Sequence, residues 1–159
     1  MNEGFKYEIR EAKIEEWEDA MALAWRTFQR FEAHEYTPEG VKNFLDFISD
    51  NGLRKMFMIH EYHMWVALDG NQIIGLISLR SKKHISLLFV NEKYHKQGVG
   101  RALMERLWSY LRYKKIPVCT VNSSPYAVDF YHRLGFVDLD SEKVDGGIRF
   151  TPMKKELYY

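Results

Sequence analysis

Apolar residues recur every three to four positions through the first third of the chain, switch to alternation and near-continuous runs in the middle, and then return to helical spacing. From Ile14 to Phe31, the positions Trp17, Met21, Ala24, Phe28 and Phe31 trace one face of a helix. Glu15, Glu16, Glu18 and Asp19 load its first turns with negative charge, as the helix dipole favours, although no good cap residue precedes them. Ahead of it, Tyr7 to Ala12 alternates as a short strand does. Thr37-Pro38 reads as an N-cap followed by proline at the first helical position. Val41, Phe44, Leu45 and Ile48 then mark a second helix face, and Asn51-Gly52 is its expected stop.

Met64 to Leu68 and Gln72 to Leu79 are β-rich runs joined by Asp69-Gly70-Asn71, which predicts a hairpin. His84 to Val90 is a third run, apolar enough to suggest burial on both faces. A helix follows from about Val99 to Lys114, with Leu103, Leu107, Tyr110 and Leu111 on one side. Pro117 to Asn122 predicts a strand, and Pro125 to Leu134 a helix stopped by Gly135. Phe136 to Leu139 and Ile148 to Lys154 are two closing strands separated by Asp145-Gly146-Gly147. The order is strand, two helices, three strands, helix, strand, helix, two strands. It describes an α/β chain with a central sheet and helices on its faces. No repeat, low-complexity tract or linker interrupts it, so residues 1–159 are expected to form a single domain.

Composition narrows the function classes. The formal net charge is +1, from 23 basic and 22 acidic side chains, whereas a dedicated nucleic-acid binder carries a strong basic excess. No apolar run approaches the roughly 20 residues that cross a bilayer, so no membrane association is expected. Cys119 is the single cysteine, which rules out an intrachain disulfide. The opening residues lack the apolar stretch of a secretory signal, and a cytoplasmic protein is expected.

Candidate chemistry centres on Gln97-Gly98-Val99-Gly100-Arg101-Ala102, between a hydrophobic strand and an amphipathic helix. Two glycines let backbone approach a ligand, and a helix start offers unpaired N–H groups with partial positive charge. Lys93, Lys96 and Arg101 add to it. On their own these glycines suit a tight turn as well as a pyrophosphate seat. Leu103 stands where a dinucleotide fingerprint needs its third glycine, and Gly100-Arg101-Ala102 is not the ending of a P-loop.

A second segment lies about thirty residues on: Asn122-Ser123-Ser124-Pro125-Tyr126, continuing to Phe130-Tyr131-His132-Arg133-Leu134-Gly135-Phe136. With the glycine loop, it resembles the GCN5-related N-acetyltransferase (GNAT) family. Gln97, Gly100 and Ala102 fill that family's Gln/Arg-x-x-Gly-x-Gly/Ala loop, and Phe130, Tyr131, Gly135 and Phe136 its later motif. The resemblance implies a central mixed sheet flanked by helices, with strands 4 and 5 splayed to admit the pantetheine arm of acetyl-CoA. Leu88, Phe89 and Val90 would face that arm and the thioester. The amides of Gln97, Gly98, Val99, Gly100, Arg101 and Ala102 would hold the pyrophosphate. Asn122 would bond the cofactor arm, and Tyr131 would be the general acid at the sulfur. An unidentified amine, small molecule or peptide, would attack the thioester directly.

Other readings stand beside these. By position alone, Tyr131 reads as a helix residue packing on the sheet, and Asn122 as a strand-end turn former. Cys119 reads as a buried, inert thiol. His60 and His63 lack the further ligands of a metal site, so no metal is expected. His84 ranks first as general base because an ordinary imidazole titrates near neutrality, with Glu32, Glu35 or a water chain as alternatives. Without a certain base, a non-catalytic acyl-CoA-binding or regulatory module is the alternative function. The closing strand and the aromatics Tyr158 and Tyr159 leave both monomer and homodimer open.

Overall fold

The computed structural model describes residues 4–157, so Tyr158 and Tyr159 lie outside the described residues. Strands β1 (Glu8–Glu11), β2 (His63–Asp69), β3 (Gln72–Arg80) and β4 (His84–Val90) pair antiparallel in that order. β4 then meets β5 (Val118–Ser123) in parallel, through His84–Thr120 and Ile85–Val121. Past that second pair the ladder ends and the strands part. β5 continues antiparallel with β8 (Ile148–Glu156), against which both β6 (Val137–Asp138) and β7 (Lys143–Asp145) pair. This is the mixed sheet with diverging fourth and fifth strands that the resemblance implied.

Two cores sit on opposite faces of the sheet, and the alternation of β2 explains both. Trp65 and Ala67 point into a core shared with Val99, Leu103, Leu107 and Leu111 of α4 (Val99–Tyr113). Met64, Val66 and Leu68 point into the other, filled by α1 (Trp17–Phe31), α2 (Pro38–Ile48) and α3 (Asn51–Met58). Each leucine, valine or methionine among them contributes roughly 1.5–3 kcal/mol when fully buried. β4 is not buried evenly on both faces: Ile85, Leu87 and Phe89 are buried, while His84, Ser86, Leu88 and Val90 are half-buried. The register slips between Ser78 and Leu79, leaving Ser86 without a partner across the ladder. Such a bulge re-aims a strand, and here it precedes the half that leaves β5.

Other boundaries differ for local reasons. Asn51-Gly52 does not stop a helix but begins α3, because the Asp50 carboxylate accepts from the Gly52 amide at 2.8 Å. Ahead of α1, the carboxylate of Glu16 accepts from the Lys13 amide at 2.7 Å and is clamped by Arg10 through two 2.9 Å bonds, so a downstream glutamate supplies the missing cap. The helix predicted over 125–134 is a short 3₁₀ turn, Pro125–Ala127, followed by α5 (Val128–Arg133). β7 was not expected, since all three of its residues are exposed and show no apolar pattern.

The turn after β7 is docked onto α2. Gly146 and Gly147 have φ of 58° and 78°, the left-handed region that glycine tolerates. The Thr37 amide donates to the Gly147 carbonyl at 3.3 Å, and Asn43 Nδ2 to the Gly146 carbonyl at 2.8 Å. A Cβ at Gly40 would strike that same Gly147 carbonyl. Gly40→Ala is therefore expected to destabilise by about 1–3 kcal/mol despite alanine's better helix propensity. A urea midpoint equal to or above the parent's would show that this turn is not seated in solution.

Candidate active site

Gly98 caps α4 with φ of 81°, and the space where its Cβ would stand is open. Gly100 is closely overlaid instead: a Cβ there would meet the Phe130 ring at 3.3 Å. The Ala102 amide donates to the Gly98 carbonyl at 3.0 Å, closing the first helical turn. The amides of Gly98, Val99, Gly100 and Arg101 precede that bond and are the ones a helix start leaves without intrahelical partners. Gln97 turns its side chain away from the loop, accepting from the Tyr7 hydroxyl at 2.6 Å and donating to the Lys93 carbonyl at 3.3 Å. Its role in the structure is to fasten the loop.

These amides open onto a cleft of about 510 Å³ bounded by the end of β4, the end of α1 and the turn and helix that follow β5. Lys96, Arg101 and Arg133 line it with positive charge, as does the start of α4; Leu88, Phe89, Val90 and Phe130 form an apolar stretch; Thr27, Glu32 and Tyr126 also line it, with Asp129 a further acid. Of the residues singled out from sequence, Leu88, Phe89, Val90, Gly98, Val99, Gly100 and Arg101 come together here. Gln97, Ala102, Asn122, Tyr131 and His84 are not among the lining residues. Asn122 is exposed and sits opposite Pro152 in the β5–β8 ladder.

His84 lies in the closed part of the β4–β5 pair, four residues or about 13 Å of strand from Leu88. Its Nδ1 is 2.9 Å from Thr120 Oγ1. Burial, with help from the Arg80 charge, pushes its pKa down to about 4, so the ring is neutral and only weakly basic at pH 7. Glu32 is the opposite case. It follows α1, lines the cleft, and is pushed up to about 7, first by burial and then by the nearby Glu35 charge, with Ser124 pulling it partly back.

Tyr131 is 4 % exposed and packs edge-on against Phe130 and Phe136, at 5.4 and 5.2 Å between ring centroids. Its hydroxyl has no hydrogen-bond partner among the described residues, and burial raises its pKa, with the Glu32 charge adding to the effect. Of the cleft-lining groups that sequence reasoning did not assign, Tyr126 and Arg133 share helical spacing with Phe130, and that periodicity was the available signal; Asp129 stands next to Phe130. His95, also on the lining, places Nε2 2.7 Å from the Val90 carbonyl oxygen.

Residues 32–157 match the acetyltransferase (GNAT) domain family. The chain belongs to the GNAT family. A curated relative, the uncharacterized N-acetyltransferase YafP of Escherichia coli K12, is 25% identical over 138 residues, covering 87% of this chain and 86% of the relative. A GCN5-related N-acetyltransferase from Rhodopseudomonas palustris superimposes with a TM-score of 0.83 at 20% identity, covering 96% of this chain and 97% of the other. The PaiA N-acetyltransferase of Thermoplasma acidophilum, solved in complex with coenzyme A, does so with a TM-score of 0.79 at 20% identity, over 96% and 99% of the two chains. The two structures attest the fold. β1 and α1 precede the family match, yet the structural matches cover nearly the whole of this GNAT chain, so the helix that leads into Glu32 belongs to the shared architecture. Among its described residues, no helix is long and apolar enough to cross a membrane.

Proposed function

We propose that this chain, as one domain, transfers the acetyl group of acetyl-CoA directly to a primary amine. The observation that carries the reading is the cleft itself: one cavity joins the free amides at the start of α4, an apolar stretch of β4 backbone, and a carboxyl group that titrates near neutrality. The positive lining at α4 suits a diphosphate, and the side of β4 that β5 leaves uncovered beyond Ile85 suits a pantetheine arm. The single cysteine, free and buried, suits a reducing compartment such as the cytoplasm.

In this reading Glu32 takes over the role of general base from His84. An ammonium must lose a proton before it attacks, and a base working near pH 7 does this best when its own pKa lies there. Glu32 accepts that proton, the amine nitrogen bonds to the thioester carbon, and a β4 amide near Leu88 stabilises the oxyanion. The carbon–sulfur bond then breaks. Tyr131 stays protonated through neutral pH because its pKa is raised, and its unpartnered hydroxyl donates to the departing thiolate, which leaves as CoA–SH; the acetylated nitrogen gives up its second proton, which restores the phenol and leaves a neutral amide.

Thermal shift tests the binding half, since a ligand that binds only the folded state raises the melting temperature. Acetyl-CoA and CoA are expected to raise it and NAD to leave it unchanged; the reverse pattern would reject the reading. Thiol release against an amine panel tests the transfer half. Binding without release for any amine would reassign the chain as an acyl-CoA-binding module. Tyr131→Phe is expected to lower turnover about 10²-fold while leaving the KM for acetyl-CoA nearly unchanged. Unaltered turnover would remove the phenol from the reaction.

A further inference from the structure

The bulge in β4 has a tether of its own. Side chains alternate along a strand, yet Ser86 and Leu87 both face the α1 side of the sheet. Leu87 belongs to that core, and the Ser86 hydroxyl accepts at 3.0 Å from the hydroxyl of Tyr62, a residue of the same core. Ile85 before them and Leu88 after them pack into the core shared with α4. Two consecutive side chains on one face mark Ser86 as the extra residue. A one-residue slip exchanges the faces of everything beyond it, so this bulge turns Leu88 and Val90 toward α4 and Phe89 into the α1 core. Backbone amides alternate with the same period, and their directions beyond Ser86 are set by the same residue.

Tyr62 and Ser78 are buried, and their hydroxyl oxygens lie 2.6 Å apart. A phenol has one proton; donating it to Ser86 leaves the Tyr62 oxygen to accept from the Ser78 hydroxyl. Burial raises the Tyr62 pKa and so keeps that proton in place. Ser78 stands opposite Leu87 in the β3–β4 ladder. The chain of hydroxyls Ser78–Tyr62–Ser86 therefore bridges the two strands where the bulge interrupts their pairing. Packing holds the phenol still: its ring meets Trp17 edge-on at 6.0 Å, and Trp17 stacks on Phe57 at 5.1 Å.

We propose that Tyr62 is a positioning residue for acetyl transfer: its hydroxyl fixes the bulge at Ser86 and thereby aims the β4 amide near Leu88 at the oxyanion. This rests on the acetyltransferase reading above. Tyr62, Ser78 and Ser86 are not among the cleft-lining residues, so the tether acts through the direction of β4 and not through binding. Losing an oxyanion donor outright costs about 10²- to 10³-fold in turnover, and a donor that is kept but misaimed costs part of that.

Tyr62→Phe and Ser86→Ala are each expected to lower kcat by about 10- to 10²-fold, with the KM for acetyl-CoA within about twofold of the parent. The double variant should be no slower than the slower single one, because both changes break the same link. Ser86→Thr keeps a hydroxyl and should stay within about threefold of the parent. The acidic limb of the pH profile should not move, since the tether exchanges no proton with the substrate. Isotope-edited infrared spectra of bound acetyl-CoA read the aim directly. On binding to the parent the thioester carbonyl band should move to lower frequency, and in both variants it should move less. A CoA-induced thermal shift confirms that each variant is folded. Full kcat with the parent's band in folded Ser86→Ala would overturn the proposal, as would losses that multiply in the double variant. If no amine released thiol, the band of the binary complex would still decide on the tether, and the transferase reading alone would fall.

Discussion

Replacing Glu32 with glutamine is expected to lower kcat/KM for the amine by about 10²- to 10⁴-fold, the usual range for a positioned general base. Acetyl-CoA affinity should stay within about threefold, because phosphate binding is assigned to the amides of α4. The parent enzyme should show a rising acidic limb in kcat/KM that levels off above about pH 7, where Glu32 loses its proton. Ionisation of the amine adds a second limb near its own pKa of about 10.4. In the glutamine variant the lower limb should vanish. A limb that persists in Glu32→Gln would place the base elsewhere.

The same substitution has an opposite effect on stability. A carboxyl whose folded pKa is raised binds its proton more tightly in the native state than in the unfolded one. Its contribution is whole below the unfolded value, near 4.5, and is lost as pH rises through about 7. Above that pH the parent carries a penalty of up to about 3 kcal/mol that glutamine escapes. Denaturant unfolding at pH 8 should therefore show Glu32→Gln to be the more stable protein, with the advantage gone near pH 4. Such a trade of stability for reactivity is what a strained catalytic group predicts.

Gly100→Asp should weaken acetyl-CoA binding about 10³-fold. The added Cβ would press on the Phe130 ring at 3.3 Å, and a carboxylate would stand among the amides assigned to the diphosphate. Crowding and like-charge repulsion act together there, and neither depends on the amine. Gly100→Ala separates them: it keeps the contact with Phe130 and adds no charge, so its loss should be clearly smaller. Titration calorimetry with CoA reads both. Equal losses for the two variants would show that packing alone matters at this position.

Features written into consecutive residues were legible from the chain. The helix spacing of Trp17 to Phe28, the hairpin at Asp69-Gly70-Asn71 and the glycine loop are local, and each stands where expected. Asp50-Asn51-Gly52 was ambiguous because the residues that end helices also begin them; only the Asp50 side chain on the Gly52 amide settles its direction. Tyr131 was visible as part of a motif, yet its burial against Phe136 depends on how α5 packs on the sheet. The proposed base was least legible of all. His84 has a favourable ordinary pKa, but its strand position puts it beside Thr120 in the closed ladder and burial strips its basicity. Glu32 looks like any surface carboxylate until the fold half-buries it near Ser124 and Glu35, groups separated from each other by most of the chain.

The most direct measurement is the structure of the acetyl-CoA complex. The account predicts diphosphate oxygens within hydrogen-bond distance of the Val99, Gly100 and Arg101 amides, with the thioester between Leu88 and Glu32. A diphosphate seated away from the start of α4, or a thioester beyond reach of Glu32, would contradict it.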